Sequence, residues 1–185
     1  MKRPLMAVTV SALFVLGLAV SACGSSDGGG GSEEDCQKVC AKVGECGSAE
    51  DEQACLGDCP DMTEVIRASA WNYATDCILN MPCDDNFNPD ACLLEAAQQE
   101  PESNVDGLAN SACNKTKECD DTVDVNQCVT EFKTDDDMII LRIISDDALN
   151  CVGSCVTGKS CDEIGDDMDT VFAQCACGCG LPFCE

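Results

Sequence analysis

The cysteines are the residues of this chain whose type and spacing could do chemistry. There are 19 among 185 residues, and the spacing Cys-x5-Cys-x8-Cys occurs three times, starting at Cys40, Cys77 and Cys113. Thiols can form disulfides, hold metal ions or attack a substrate as thiolates. A cysteine register that returns after 37 and then 36 residues predicts a repeated, small, disulfide-bonded unit.

The absence of histidine limits what these thiols could catalyse. The chain has no His and no Cys-x2-Cys pair, which removes Ser-His-Asp and Cys-His arrangements, mixed His/Cys zinc sites and thioredoxin-like redox centres. The tail Cys175-x-Cys177-x-Cys179 resembles the thiolate metal-binding tracts of metallothioneins. We expect disulfides there, because the repeat already assigns these thiols to pairs. The sequence therefore predicts no catalytic residue and no cofactor.

Two acidic segments follow part of the pattern of an EF-hand calcium loop. Side chains with oxygen ligands stand at positions 1, 3, 5, 7 and 12 of the first segment, namely Asp84, Asn86, Asn88, Asp90 and Glu95. Position 6 needs glycine for its sharp turn, but it is Pro89 here. The second segment has oxygen-bearing side chains at the same five positions and Val125 at position 6; they are Asp120, Thr122, Asp124, Asn126 and Glu131. The same Asp and Asn residues suit helix N-termini. We therefore expect helix caps, with cation binding on these loops as the alternative.

Unit 1 extends the cysteine register at both ends, as Cys36-x3-Cys40-x5-Cys46-x8-Cys55-x3-Cys59. Residues four apart lie on one face of a helix, so two antiparallel helices would bring these edges together. The prediction is an outer disulfide from Cys36 to Cys59 and an inner one from Cys40 to Cys55. This pattern resembles the twin Cys-x3-Cys helical hairpin of alpha-hairpinins and of small chaperones of the mitochondrial intermembrane space.

The other units test this pairing within the same chain. The outer places are taken by Tyr73 and Ala96 in unit 2 and by Ala109 and Phe132 in unit 3. Outer cysteines are therefore missing together, as bonded partners should be. The inner pairs that remain are Cys77–Cys92 and Cys113–Cys128.

Unit 4 is a longer variant in which the outer pair returns. It reads Cys151-x3-Cys155-x5-Cys161-x13-Cys175-x3-Cys179, which predicts the pairs Cys151–Cys179 and Cys155–Cys175. A second disulfide in the first and last units has a physical reason. Terminal repeats lack a neighbour on one side, so extra covalent support there compensates for the missing contacts. The simplest completion joins neighbouring units and closes the C-terminal loop, with the pairs Cys46–Cys83, Cys119–Cys161 and Cys177–Cys184.

The N-terminus has the pattern of an export signal. Lys2 and Arg3 precede a run of apolar residues and then small ones, so residues 1–22 are predicted to be a signal peptide. The segment Val20-Ser21-Ala22-Cys23 resembles the lipobox of bacterial lipoproteins, which implies cleavage before Cys23 and a lipid on its sulfur. An ordinary secretory signal is the alternative. Lipidation of Cys23 would leave an even number of cysteines for disulfides.

The residues after the signal indicate how the body would be displayed. Residues 23–35 are predicted to be the lipidated cysteine and a flexible Gly/Ser-rich tether. Gly24 stands where aspartate would retain an enterobacterial lipoprotein in the inner membrane, so the family rule favours the outer membrane of a bacterial cell envelope. After cleavage, eight cations would face 35 carboxylates, a net charge of −27. Such a charge disfavours nucleic acid and leaves the acyl anchor as the expected membrane contact.

The segments between cysteines predict an all-α, small, disulfide-rich fold of four tandem helical-hairpin units in two lobes. Helices are expected over 60–81, with Pro60 in the first turn, and over 135–151, whose apolar centre would also suit a short strand. The polar segment 99–112 is predicted to be a linker. It would separate lobe 1, residues 36–98, from lobe 2, residues 113–185, with Cys77 corresponding to Cys151 after duplication.

These features favour a non-enzymatic structural or binding module, anchored by lipid to the cell envelope. It would present an acidic, disulfide-stapled body to an envelope or extracellular protein partner that the sequence does not name. Two alternatives stay open: a divalent-cation-binding envelope protein that uses the acidic loops, and a hydrolase with a carboxylate site that has no recognisable motif.

Overall fold

A computed structural model describes residues 31–84, 86–136, 138–166 and 168–181. Its α-helices are α1 (Glu33–Cys46), α2 (Ala49–Val65), α3 (Ala68–Asn80), α4 (Pro89–Gln99), α5 (Asp106–Cys119), α6 (Val125–Thr134), α7 (Asp146–Gly158), α8 (Cys161–Asp166) and α9 (Met168–Gly178). Two 3₁₀ helices span Glu102–Val105 and Ile139–Ile143. The predicted small, all-α, disulfide-rich fold is confirmed. The predicted signal peptide, Cys23 and most of the tether lie outside the described residues.

The first two helices begin at serine capping boxes. The Ser32 and Ser48 hydroxyls accept hydrogen bonds from the N–H groups of Asp35 and Asp51. In return, the Asp35 and Asp51 carboxylates accept from the backbone N–H groups of the two serines. Each box satisfies N–H groups that a helix start leaves unpaired. Because Ser32 is the cap, residues 33–35 form the first turn of α1. The prediction that the tether extends through residue 35 is therefore wrong at its end.

Pro60 lies inside α2 and not in the first turn of a new helix. Two disulfides, at Cys55 and Cys59, hold the turn that precedes it. Proline in a helix interior destabilises the helix by roughly 3 kcal/mol. The covalent support explains why α2 nevertheless continues through Pro60. The predicted helix over 60–81 is thus divided between the end of α2 and α3, with an extended Ile66 between them.

Four helix pairs build the molecule, namely α1 with α2, α3 with α4, α5 with α6, and α7 with α9. Each disulfide within a pair is a rung that joins its two helices. Where a pair has two rungs, they show that its helices are antiparallel: Cys36 bonds Cys59, while Cys40, further along α1, bonds Cys55, earlier in α2. The short α8 occupies the longer loop of unit 4. None of the helices among the described residues has the length and hydropathy of a membrane span.

The segment over 135–151 is not one continuous helix. After its 3₁₀ helix, Ile144 becomes extended and forms an isolated antiparallel bridge with Ile66. The N–H of Arg67 donates to the carbonyl of Ile143, and the N–H of Ser145 donates to the carbonyl of Val65, each at 2.7 Å. The predicted alternative, a short buried strand, is realised only as this bridge, because Ser145 caps α7 directly after it.

Both halves of the chain contribute to one hydrophobic core. Ile66 of the first half and Ile143, Ile144 and Val152 of the second are 0–1% exposed and belong to the same cluster. The predicted linker over 99–112 is largely helical and adds Val105 and Leu108 to that cluster, at 1% and 3% exposure. Apolar residues spaced three or four apart give this polar-looking segment a buried face. The division into two lobes stays a prediction.

Candidate functional site

The cysteines form the covalent framework that positions everything else. Eight of the predicted pairs are disulfides in the structure, with Cα–Cα distances of 4.7–5.8 Å: Cys36–Cys59, Cys40–Cys55, Cys46–Cys83, Cys77–Cys92, Cys113–Cys128, Cys119–Cys161, Cys151–Cys179 and Cys155–Cys175. The ninth predicted pair, Cys177–Cys184, lies outside the described residues because Cys184 does. The sixteen bonded sulfurs are neither thiolate ligands nor nucleophiles.

Six of these disulfides close individual hairpins, and two join neighbouring hairpins. Cys46, at the end of α1, bonds Cys83, and Cys119, at the end of α5, bonds Cys161. Cys77 bonds Cys92 across 15 residues, as an inner rung does. Its counterpart in unit 4 is therefore Cys155, the inner cysteine there, and the predicted correspondence with Cys151 is wrong.

The first acidic segment is used for turns and caps. The Asp84 Oδ1 accepts from the N–H of Asn86 at 2.8 Å, and the Asn88 Oδ1 accepts from the N–H of Asp90 at 3.2 Å to cap α4. Glu95 accepts instead from the hydroxyl of Tyr73, at 3.4 Å. The Asp84 and Asn88 oxygens are thus committed to local backbone N–H groups, as expected for turns and helix caps.

The second acidic segment behaves in the same way. Asp120 accepts from the hydroxyl and the N–H of Thr122, at 2.7 and 2.9 Å, and these bonds lower the pKa of its carboxyl. Asp124 caps α6 by accepting from the N–H groups of Asn126 and Gln127. Throughout the described ranges, no three His, Cys, Asp or Glu side chains come together as a metal site would require.

A groove between α1 and α2 is the candidate binding site. It has a volume of about 360 Å³ and is lined by Glu33, Cys36, Gln37, Leu56, Pro60, Thr63 and Glu64. The volume is within the range of sites that hold a small ligand or a few side chains. The sequence predicts only structural roles for Cys36 and Pro60, and no motif marks the other lining residues, because a groove arises from two helix faces.

The walls of the groove are covalently fixed and partly apolar. The disulfide from Cys36 to Cys59 joins the two helices at the groove itself, and the Cys40–Cys55 rung lies one turn away. Leu56 is 37% exposed and is one of the large hydrophobic side chains that remain open to solvent. A preformed wall of this kind loses little conformational entropy when a partner binds.

The rim of the groove carries negative charge that the chain does not neutralise. Glu33 accepts a hydrogen bond from the Gln37 amide at 3.5 Å. In the described structure, neither Glu33 nor Glu64 takes part in an ion pair. Lys38, on the same helix, pairs with Glu34 at 2.8 Å and with Asp35 at 3.7 Å, and the pair with Glu34 raises its pKa.

The groove ends where the chain enters the folded body. A side chain at Gly31 would overlap Thr63, which lines the groove, and would come within 2.7 Å of the Trp71 Nε1. Trp71 is 4% exposed, and its Nε1 has no hydrogen-bond acceptor among the described residues. Glycine is thus required at residue 31 for this close approach. The groove consequently lies beside the point from which the predicted tether leads to Cys23.

Comparison with known proteins identifies no relative: no family model, curated protein or solved structure matches the chain. A function for this chain must therefore be argued from its own sequence patterns, geometry and charge. The likeness to twin Cys-x3-Cys hairpins extends to the disulfide rungs of α1 and α2, and it brings no partner or activity with it.

Proposed function

We propose that this protein is a lipid-anchored, non-enzymatic binding module of the bacterial cell envelope. It displays an acidic, disulfide-stapled helical body to a protein partner. Its membrane contact is the lipid on Cys23, and the outer membrane is the location that the sequence pattern favours.

The disulfide framework is the observation that carries this proposal. Seven aromatic residues give the chain little material for a large core, whereas the eight disulfides among the described residues fix the helices of each hairpin and link neighbouring hairpins. Disulfides of this density belong to oxidising compartments such as a bacterial envelope. A body held in this way keeps its surface in one arrangement, which favours recognition.

The charge distribution supports a cationic or polar protein partner. Of the cations in the described chain, Lys38, Arg67, Lys115, Lys133, Arg142 and Lys159 are already in ion pairs. With 35 carboxylates in the sequence, most have no cation of this chain to pair with. The resulting negative potential would steer positively charged partners and repel nucleic acid and anionic lipid.

Fractionation of bacteria that express the full chain tests the anchor. We expect the wild-type protein in the membrane fraction, labelled by a metabolic fatty-acid probe, and the Cys23→Ser variant in the soluble envelope fraction without label. Ser26→Ala, a change within the predicted tether, is the matched control and should behave as wild type. Equal membrane retention and labelling of Cys23→Ser would contradict the proposal.

Crosslinking in intact envelopes tests the binding function. A protein module should give a discrete crosslinked species with one partner, and an excess of the soluble Cys23→Ser body should compete for that species. If the crosslinks are diffuse and insensitive to competition, the binding function is wrong.

A further inference from the structure

We infer that the α1–α2 groove is a docking site for a cationic side chain of a partner protein. The lysine or arginine would take the place that the chain's own Lys133 takes in the related hairpin α5–α6. This inference rests on the proposed binding function and specifies the chemistry of the partner segment.

The two hairpins correspond residue by residue. An offset of 73 places the inner rung Cys40–Cys55 on the rung Cys113–Cys128. Both rungs span 15 residues, so the intervening loops have equal length. The positions that line the groove on α1 and α2 can therefore be compared directly with those on α5 and α6.

The related hairpin carries its own cation. The same offset relates Glu33 to Asp106 and Pro60 to Lys133. The Lys133 Nζ lies 2.6 Å from the Asp106 Oδ1, and the lysine side chain is only 21% exposed. In α5–α6 an acid at the start of the first helix is thus neutralised by a lysine from the second helix.

The α1–α2 hairpin keeps the acid but lacks the lysine. Glu33 occupies the place of Asp106, while Pro60 has no charge to offer it. Glu64 adds a second carboxylate to the same groove. Glu33 and Glu64 are both exposed and have no cation of their own in the described structure, so they favour a positive charge from outside with the modest strength of an exposed ion pair.

The rest of the groove suits a long side chain on a peptide. Leu56, Pro60 and the Cys36–Cys59 disulfide offer apolar contact to the methylene stem of a lysine or arginine, whose charged end would reach the rim. The Gln37 amide can both donate to and accept from a peptide backbone. These features favour a peptide segment in which apolar residues flank the cation.

The first test is a peptide titration followed by NMR of the oxidised mature chain carrying Cys23→Ser. The probes are acetyl-GLKLG-amide and the matched acetyl-GLQLG-amide. We expect the lysine peptide to shift the amide signals of Leu56 and Thr63 and to bind about fivefold more tightly than the glutamine peptide, the ratio that an exposed ion pair supplies. Equal affinity of the two peptides, or no shift in the groove, would overturn the inference.

Two variants test the site in opposite directions. Pro60→Lys should fill the groove with a lysine of the chain itself, and Lys133→Ala should free the corresponding place in α5–α6. Pro60→Lys places a lysine where Lys133 stands in the related hairpin, so we expect the lysine peptide to bind about fivefold more weakly to it. Lys133→Ala should create a second set of shifts near Asp106. Glu33→Gln should weaken binding, while Glu50→Gln, a change on α2 outside the groove, should not. Undiminished binding to Pro60→Lys would also refute the site.

Three further outcomes separate this site from related possibilities. If spermidine displaces the lysine peptide at equal concentration, the groove binds free amines and the assignment to a protein side chain is wrong. If the envelope crosslink persists in Pro60→Lys, the protein is a binding module whose partner uses another surface. If the peptide binds as expected but no crosslink forms, the groove stands and the proposed cellular function fails.

Discussion

Ile66 and Ile144 pair with each other across an antiparallel bridge, and they are equivalent residues of the two halves of the chain. An offset of 78 relates them, and it also relates Cys83 to Cys161 and the start of α3 to the start of α7. The same offset relates the two backbone hydrogen bonds beside the bridge, from Arg67 to Ile143 and from Ser145 to Val65. Contacts of this reciprocal kind are typical of a two-fold symmetric dimer. The halves thus meet within one chain as two subunits would.

Shortening either bridge isoleucine should destabilise the whole molecule. Ile66 and Ile144 are 1% and 0% exposed, so Ile66→Ala and Ile144→Ala should each lower the free energy of unfolding by about 2–5 kcal/mol. Urea unfolding followed by circular dichroism measures both. Leu94→Ala, at a residue 43% exposed, is the control and should cost less than about 0.5 kcal/mol. A marked effect at only one isoleucine would argue against the symmetric core.

Removing the disulfide that joins α5 to α6 should lower the free energy of unfolding by a calculable amount. Cys113–Cys128 closes a loop of 15 residues, for which restriction of the unfolded chain contributes about 3 kcal/mol. The double variant Cys113→Ser/Cys128→Ser should therefore unfold at lower denaturant under non-reducing conditions. Wild type and variant should become alike once all disulfides are reduced. A difference that survives reduction would show that the serines act by disturbing packing.

Asp124 should act as a helix cap and not as a calcium ligand. It accepts from two N–H groups at the start of α6, and loss of such a cap costs about 1 kcal/mol. We expect Asp124→Ala to lower stability by that amount, equally with and without millimolar calcium, in thermal melts. A calcium-dependent loss would revive the cation-binding alternative.

The stability contribution of Glu163 should disappear in acid. The N–H and hydroxyl of Ser160 donate to its carboxylate at 2.9 and 2.8 Å, and with Lys159 they lower its pKa from 4.5 to about 2. Because the lowered pKa exists only in the folded chain, this contribution is complete above pH 4.5 and is lost as pH falls towards 2.

An NMR pH titration of the Glu163 side chain measures this effect. In Ser160→Ala the hydroxyl is removed while the backbone N–H still donates. The pKa of Glu163 should therefore rise above about 2 but stay below 4.5. An unchanged value would mean that the hydroxyl plays no part.

The hairpins and their rungs were predictable because disulfide geometry is strict. Two cysteines bond only when their Cα atoms approach to roughly 4.4–6.8 Å, so a repeated register on helices leaves few arrangements. The loss of outer cysteines in pairs, as at Ala109 and Phe132, further narrowed the choice. Local patterns also indicated the cap at Asn88, since its amide and the following Pro89 both favour a helix start.

Features that depend on contact between distant segments were not predictable. The extended conformation of Ile144 is required by its pairing with Ile66. No sequence pattern near either residue predicts that pairing. The continuation of α2 through Pro60 depends on rungs to α1. The groove had a signal in the sequence, since alignment of the hairpins sets Pro60 against Lys133, but its meaning required the ion pair of Lys133 with Asp106.

The way the disulfides are distributed also determines how the molecule would respond to force. Those between Cys36 and Cys92 stay in the first half and those between Cys113 and Cys179 in the second, and no described disulfide crosses between them. Tension between the N-terminus, where the lipid anchor is proposed, and a load on the second half passes through the 21 chain steps from Cys92 to Cys113. Pulled straight, that stretch reaches roughly 70 Å. Each half stays closed while the connection between them lengthens.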